Sequence, residues 1–321
     1  MAYTAPTWNN DAPPAITAEA MQEISDNLEY VSNNICNRNL LHNWYFGNPV
    51  NQRGKTVYRG AGFTVDRWQA RSAQCYATVG DGVLKLEESS TGVRVYYQQK
   101  LEWPVTEVAT LSVLTGPVFG SCSAYIMTAD GTDPNIGMTL KANTLNVLKV
   151  STKDIGAVGF GVPDGGRIDL KAVKLEIGGV STLAHQDEDG NWILNEIPDF
   201  AEQSNICKRY LQVMQSASET TNNPIAMGFA NAATNLWVTF QLPVAMRAVP
   251  TVSVNDYALL KVGKTAEASV DVTMAIGGWS MTDNKSTVIR SLVFITTGMT
   301  AGETYNLYAL NGAQIMLSAE L

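Results

Sequence analysis

Histidine is nearly absent from this chain of 321 residues. The two present, His42 and His185, have no Cys, Asp or Glu at metal-ligand spacing. Cysteine is sparse as well. Cys36, Cys75, Cys122 and Cys207 lie far apart and form no CxxC pair, so neither a disulfide framework nor a zinc site is expected. Buried free thiols in a reducing cytoplasm are the expected state. No run of 18 or more apolar residues occurs, so no membrane insertion is expected. Basic runs are missing too, and the net charge is −8 from 22 basic and 30 acidic side chains. Counterion release needs a basic face, so a nucleic-acid partner is not expected. The opening residues lack both the basic and the apolar segment of a secretory leader, and none is expected.

Catalytic signatures are equally thin. The chain has no GxSxG, HExxH or P-loop. In "HQDED", residues 185–189, Gly190 follows too early for a calcium-binding EF-hand loop. "GFGVPDGG", residues 159–166, is not followed by a helix and makes a poor phosphate cradle. The carboxylate pairs Glu87/Glu88 and Asp187/Asp189 are near neighbours along the chain and are not pre-set across a cleft. A glycosidase pair assembled from distant strands stays open, but no catalytic residue and no cofactor is expected.

What remains is a chain that is 45% apolar and only 16% charged, too apolar for disorder and rich in Ser, Thr, Asn, Gln and Gly. Its length exceeds what one core usually serves, and four stretches separate. Residues 1–38 pair an extended Pro-containing leader with a helix. Thr17 is placed to cap it, Glu19 lies in its first turn, and Ile16 and Met21 occupy staple positions. Met21, Ile24, Leu28, Val31 and Ile35 then repeat at spacing 3, 4, 3, 4, an oligomerisation seam of two coiled-coil-like heptads. Packing of that seam on the protein's own body is the alternative. The spacing does not choose between a dimer and a trimer.

Residues 39–180 read as short strands cut by Gly-rich turns, an antiparallel β-sandwich of the jelly-roll kind. In "VRVYYQ", Val93, Val95 and Tyr97 share one face while Arg94, Tyr96 and Gln98 share the other. Residues 181–209 form a connector, with a turn at Asp189-Gly190 and a short helix capped by Asp199. Residues 210–321 return to strands, as in "LWVTFQL", and form a second, smaller β-domain. The fold class is therefore mainly β.

Aromatic residues supply the ligand candidates. "NWYFGNPVNQRG", residues 43–54, sets Trp44 and Phe46 to one side of a strand and Tyr45 to the other. Core packing is the favoured role for this run, a sugar platform the alternative, and the exposure of Trp44 and Trp68 decides. In the C-terminal domain Trp237 lies on the polar side of its strand, and Trp279 sits in the polar loop "GGWSMTDNKS". Tyr257, Tyr305 and Tyr308 add amphipathic rings to make a candidate ligand-binding set. The same rings also suit an interface between identical chains.

Four stretches resemble bacteriophage and prophage virion proteins of the tail-fibre or receptor-binding type. "YTAPTWNNDAPPAITAEAMQEISDNLEYV" is similar to the N-terminal attachment segment of such fibres. "NLLHNWYFGNPVNQRG" with "YRGAGFTVDRW" is similar to the opening of their carbohydrate-binding-module-like jelly roll. "AVKLEIGGVSTLA" followed by "NICKRYLQV" resembles its last strand and junction helix. "FQLPVAMRAVPTVSV" with "LSAEL" resembles their C-terminal β-domain. The resemblance implies a homotrimer made in the bacterial host cytoplasm and carried on the virion. It implies that the N-terminus joins other virion proteins and that the distal β-domain attaches to a host-surface glycan or protein. A capsid decoration or head fibre with no essential receptor role, and a glycan-degrading tailspike, are the alternatives.

Overall fold

The computed structural model describes residues 21–25, 37–89, 92–129, 136–150, 154–215, 223–265, 269–277 and 289–321. The chain is mainly β, its sheets antiparallel, and it divides into two compact units. As far as they are described, Met1–Pro49, Thr56–Gly62 and Trp68–Pro198 make one unit. Val50–Lys55, Phe63–Arg67 and Asp199–Leu321 make the other.

The first unit is a β-sandwich. Its strands are β1 (Val57–Arg59), β2 (Gly62–Phe63), β3 (Gln69–Ala70), β4 (Cys75–Gly80), β5 (Val83–Glu88) and β6 (Val95–Val105), then β7 (Ala109–Phe119), β8 (Ser123–Thr128), β9 (Ile136–Thr139), β10 (Leu145–Val150), β11 (Ile155–Val162) and β12 (Arg167–Ile177). One sheet has the order β1-β4-β5-β12-β7-β10 and the other β2-β3-β6-β11-β8-β9. From β5 to β8 each strand crosses to the opposite sheet, so every turn of chain adds to both layers. A short hairpin, β13 (Ala184–Gln186) and β14 (Trp192–Leu194), closes the unit around Gly190, whose φ of 80° suits glycine.

Pleat alternation fills the space between the sheets. Val95 and Tyr97 of β6 and Val158, Phe160 and Val162 of β11 are buried. Trp68 is the hub. Its ring stacks on Tyr97 with centroids 5.7 Å apart and planes 5° from parallel, and it tilts against Phe46 at 5.5 Å and Phe160 at 6.0 Å. The indole N–H donates to the Asn43 carbonyl at 2.9 Å, so the ring is buried without stranding its polar atom. The aromatic run lies along β12: Phe46 N–H donates to Lys171 O (2.9 Å) and Val173 N–H to Trp44 O (3.0 Å).

The second unit opens on α1 (Phe200–Lys208). Asp199 caps it, its carboxylate accepting from the Glu202 N–H at 2.8 Å, and Glu202 and Lys208 match the helix dipole at either end. Then come β15 (Leu211–Gln215), β16 (Asn223–Ala232), β17 (Asn235–Gln241), β18 (Thr251–Val254), β19 (Leu260–Gly263), β20 (Ser269–Asp271), β21 (Met274–Gly277), β22 (Ile289–Ile295), β23 (Thr304–Ala309) and β24 (Gln314–Ser318). They form a three-stranded sheet, β15-β24-β18, and a seven-stranded one, β20-β19-β23-β16-β17-β22-β21. Leu236, Val238, Leu292, Phe294 and Leu307 meet Ile315 and Leu317 in its core. Gly228 lets β16 approach β17 closely, since a Cβ there would run into the Trp237 carbonyl.

Its segments 50–55 and 63–67 bring in a buried charge cluster. Arg67 pairs with Glu320 at 2.8 Å and lies flat over the Tyr210 ring, 3.6 Å from its centroid. Asp66 accepts from the Gln52 backbone N–H (3.0 Å) and side chain (2.6 Å), with Arg53 at 3.9 Å. Burial nevertheless pushes the Asp66 carboxyl up to about 6, against the pull of Gln52 and Arg53 and with a small push from Glu320.

The residues of the N-terminal helix that are described, 21–25, are helical. Met21 and Ile24 stand 53% and 49% exposed, while Leu28, Val31 and Ile35 lie outside the described residues, so no coiled coil is established here. Cys75, Cys122 and Cys207 are free and buried, and Cys36 lies outside the described residues. Burial pushes the thiol of Cys75 up to about 12 and that of Cys122 to about 11, which leaves both protonated and inert.

Trp68→Ala removes the hub and is expected to cost ~3–5 kcal/mol in denaturant unfolding, and Trp68→Phe less, because it keeps a ring on Tyr97. Asp66 gives a pH signature. Its folded pKa lies above the ordinary 3.8, so its contribution is complete below that value and is lost as pH rises through about 6. Between pH 4 and 7 the wild-type chain is expected to lose up to ~3 kcal/mol relative to Asp66→Asn, read from paired melts across that range.

Candidate recognition surfaces

In a two-sheet fold the inward side chains are committed to the core, and those that can meet a ligand are the outward ones. Trp44 and Trp68 are 3% and 0% exposed, so neither can stack on a sugar, and the aromatic run 44–46 is architectural. His185 places Nδ1 against Asn195 Oδ1 within its hairpin. Asp187 accepts from the Asp189 and Asn191 N–H groups, which hold its carboxyl below the usual range and make it a turn anchor. Among the described residues no group of three or more His, Cys, Asp and Glu side chains is placed to hold a metal ion.

The candidate rings of the second unit separate on inspection. Tyr305 and Tyr308 are buried. The Tyr305 hydroxyl accepts from the Thr300 N–H (2.9 Å) and donates to Glu303 (3.1 Å), while that of Tyr308 accepts from Asn306 (3.2 Å). Both phenols are tied into their own turn and strand and offer no free ring face. Tyr257 is half-buried on a single 3-10 turn, Tyr257–Leu259, and packs against the core. Trp279 lies outside the described residues.

Among the described candidates Trp237, half-buried, stands on the outward face of its sheet, and it has company that the sequence did not single out. β16 pairs with β17 so that Phe229 stands opposite Trp237, and the two rings meet edge to face at 5.8 Å. Met227, two residues back on the same face, is 65% exposed and Phe229 is 47% exposed. Their partners on β23 are Asn306 and Thr304, and that of Trp237 on β22 is Val293. The result is an apolar row across the outward face of the seven-stranded sheet with no charged residue among these partners. Leu236 and Val238 anchor it from the core side. Such a surface can offer aromatic contact area to a partner and no general acid or base.

The outward face of the β6-β11-β8 sheet is of another kind. β11 carries only Ala157, Gly159 and Gly161 there, because Val158, Phe160 and Val162 point inward. Gly159 pairs with Gln98 on one side and Tyr125 on the other. A Cβ on Gly159 would fall on the hydroxyl end of the Tyr125 ring, so that ring lies across β11 towards β6. Tyr96 meets Tyr125 edge to face at 5.9 Å, and Met127 and Ala157 complete a small cluster. Arg94 is spoken for, donating to Ser123 Oγ and Ser121 O at 2.8 Å each. Arg71, exposed, places Nη1 3.7 Å from the Met127 sulfur.

Two polar atoms in this cluster have no hydrogen-bond partner in the protein: the Tyr125 hydroxyl and Gln98 Oε1, on side chains only 3% and 4% exposed. A buried polar atom left unpaired typically costs ~1–3 kcal/mol, and here two flank one glycine. Burial drives the Tyr125 phenol above its ordinary range, with the Arg71 charge opposing, so it stays a protonated donor.

No protein-family model matches the chain, and no curated protein matches it. Among solved structures, wild-type discoidin II from Dictyostelium discoideum is similar at 14% identity over 75% of this chain and 82% of that chain, with a TM-score of 0.23. The native structure of recombinant discoidin II aligns at 11% identity over 74% and 82%, with a TM-score of 0.18. Superpositions that loose carry no argument about fold or ligand.

Proposed function

We propose that this chain is a bacteriophage virion fibre or tip protein that attaches the particle to its host by binding and catalyses no reaction. In this reading the N-terminal stretch joins the particle and gathers three copies through Met21, Ile24, Leu28, Val31 and Ile35. The sandwich is a jelly-roll spacer, and the C-terminal unit meets a glycan or protein of the cell surface. The sequence resemblance supplies the class. The observation that carries the attachment role is the apolar row of Met227, Phe229 and Trp237 on one sheet face, in which Met227 and Phe229 are exposed and Trp237 is half-buried. An edge-to-face aromatic pair with a flexible Met beside it suits contact with the apolar faces of sugars or with protein side chains. One such row binds weakly. Three on one stalk act at high effective concentration and bind the cell as a group.

Phage carrying Phe229→Ala and Trp237→Ala together are expected to adsorb to host cells at least about ten-fold more slowly, because hot-spot truncation is multiplied across linked copies. The purified variant is expected to melt close to the wild type, since both side chains lie on the outward face. Unchanged adsorption removes the receptor role and leaves a decoration protein. Release of reducing ends from host surface glycan by the pure protein would instead make it a tailspike. Deleting residues 1–38 is expected to leave folded protein that is missing from purified particles.

A further inference from the structure

The sandwich unit carries an apolar surface of its own, at the end where β6 runs into β7 and β12 finishes. β11 advances two residues from Ile155 to Ala157 while β6 takes five, from Lys100 to Val105, so three extra residues bulge out of β6. Bulges re-aim side chains. This one carries Trp103, 78% exposed, and Pro104, also exposed. Val108 follows in the β6–β7 turn. Its carbonyl accepts from the Gly178 N–H at 2.8 Å, and Ala109 pairs with Ile177. Val108, Ile177 and Val180 therefore gather at the same end, and all three are exposed. Single apolar side chains are ordinary on a surface. Four large ones at one end, led by an open indole, mark a contact.

The covalent path of the chain selects what covers it. The N-terminal stretch enters the sandwich at this end. Leu40 N–H donates to Leu175 O at 2.8 Å, and Asn37 N–H to Thr182 Oγ1 at 3.1 Å, beyond the last residue of β12. Ile35, the last of the seam, precedes Asn37 by two positions, a reach of at most ~7 Å. Copies gathered by that seam hold this end of their sandwiches together. A ring of identical chains needs a surface that tolerates its own copy. The four residues are uncharged, and the charged residues beside them in sequence, Arg38, Lys100, Glu102 and Glu107, are two of each sign.

We propose that this end is a contact between copies of the chain, in which Trp103 of one sandwich packs against Val108, Ile177 and Val180 of a second copy. The contact rests on the reading of Met21, Ile24, Leu28, Val31 and Ile35 as the seam that gathers the copies. The four side chains offer on the order of 400 Å² per chain, below the ~800 Å² per partner of a stable interface, so they add to the seam and do not replace it. Their burial makes the sandwiches leave the stalk as one body.

The test is sedimentation equilibrium on the full chain. Trp103→Glu combined with Val180→Asp is expected to raise the concentration at half-dissociation at least about ten-fold. Its circular dichroism spectrum is expected to match the wild type, since both side chains lie at the surface. Leu28→Asp with Val31→Asp reads the seam separately. If the seam variant dissociates and the Trp103/Val180 variant sediments as wild type, the proposal is overturned and the seam stands. If only the Trp103/Val180 variant dissociates, the contact stands and the seam is removed. A wild-type chain that stays a monomer overturns both. Proximity is checked without touching Trp103. Val180→Cys in a Cys36→Ser background is expected to give linked dimers with a short bismaleimide, because Cys75, Cys122 and Cys207 are buried and stay silent. Asp164→Cys, in the exposed turn between β11 and β12 at the opposite end, is expected to give none. Val180→Cys linking no more than Asp164→Cys overturns the proposal.

Discussion

The stack of Trp68 on Tyr97 fixes the phase of the sandwich. Once Tyr97 is committed inward against an indole, pleat alternation leaves Tyr96 and Gln98 no choice but the outward face. A slip of one residue in β6 would bury a carboxamide in an aromatic core and expose Tyr97 and Val95, a change of several kcal/mol in the wrong direction. The outward chemistry is therefore set by the inward packing. Gly159 follows the same logic on β11: flanked inward by Val158 and Phe160, it presents bare backbone outward, and the Tyr125 ring occupies the space that a side chain would need.

The second unit is organised around a different constraint. Arg67 and Glu320 are both withdrawn from water, and a buried ion pair recovers its desolvation cost only when geometry and further hydrogen bonds are good. Here the guanidinium is paired at 2.8 Å and backed by the Tyr210 ring, so both its edge and its face find partners. Asp66 is the weaker member. Two hydrogen bonds from Gln52 and a distant Arg53 do not offset its burial, and its affinity for a proton rises accordingly. Two short segments far from the C-terminus in sequence are thus tied into the C-terminal unit by the Arg67–Glu320 pair and by hydrogen bonds from Gln52 to the Leu211 carbonyl and from Gln314 to the Arg53 carbonyl.

What was legible in the sequence is what period two controls. The Val95/Tyr97 and Tyr96/Gln98 split, the outward placement of Trp237 and the packing role of Trp44 all follow from alternation and size. The cap at Asp199 follows from local backbone chemistry. What stayed hidden depends on which strands pair. Gln98 and Tyr125 are neighbours only because both lie beside Gly159, which is remote from either in sequence. Phe229 gained significance only once β16 was seen to set it opposite Trp237. Tyr305 and Tyr308 misled because a phenol looks equally suited to a surface and to a buried hydrogen bond, and composition cannot tell the two apart. No local signal marks 50–55 and 63–67 as belonging with the C-terminal unit, since the charges that assign them have partners more than a hundred residues away.

The two outward faces make different physical offers. The row of Met227, Phe229 and Trp237 gives area without direction: any apolar surface of suitable shape gains from covering it, and a charge-free surround imposes little selection. The Gln98–Tyr125 pair is polar and closed. Both side chains are withdrawn from water with one unpaired atom each, and the sandwich carries that cost on the packing of Trp68 with Tyr97 and Phe160 on the inward side of the same sheet.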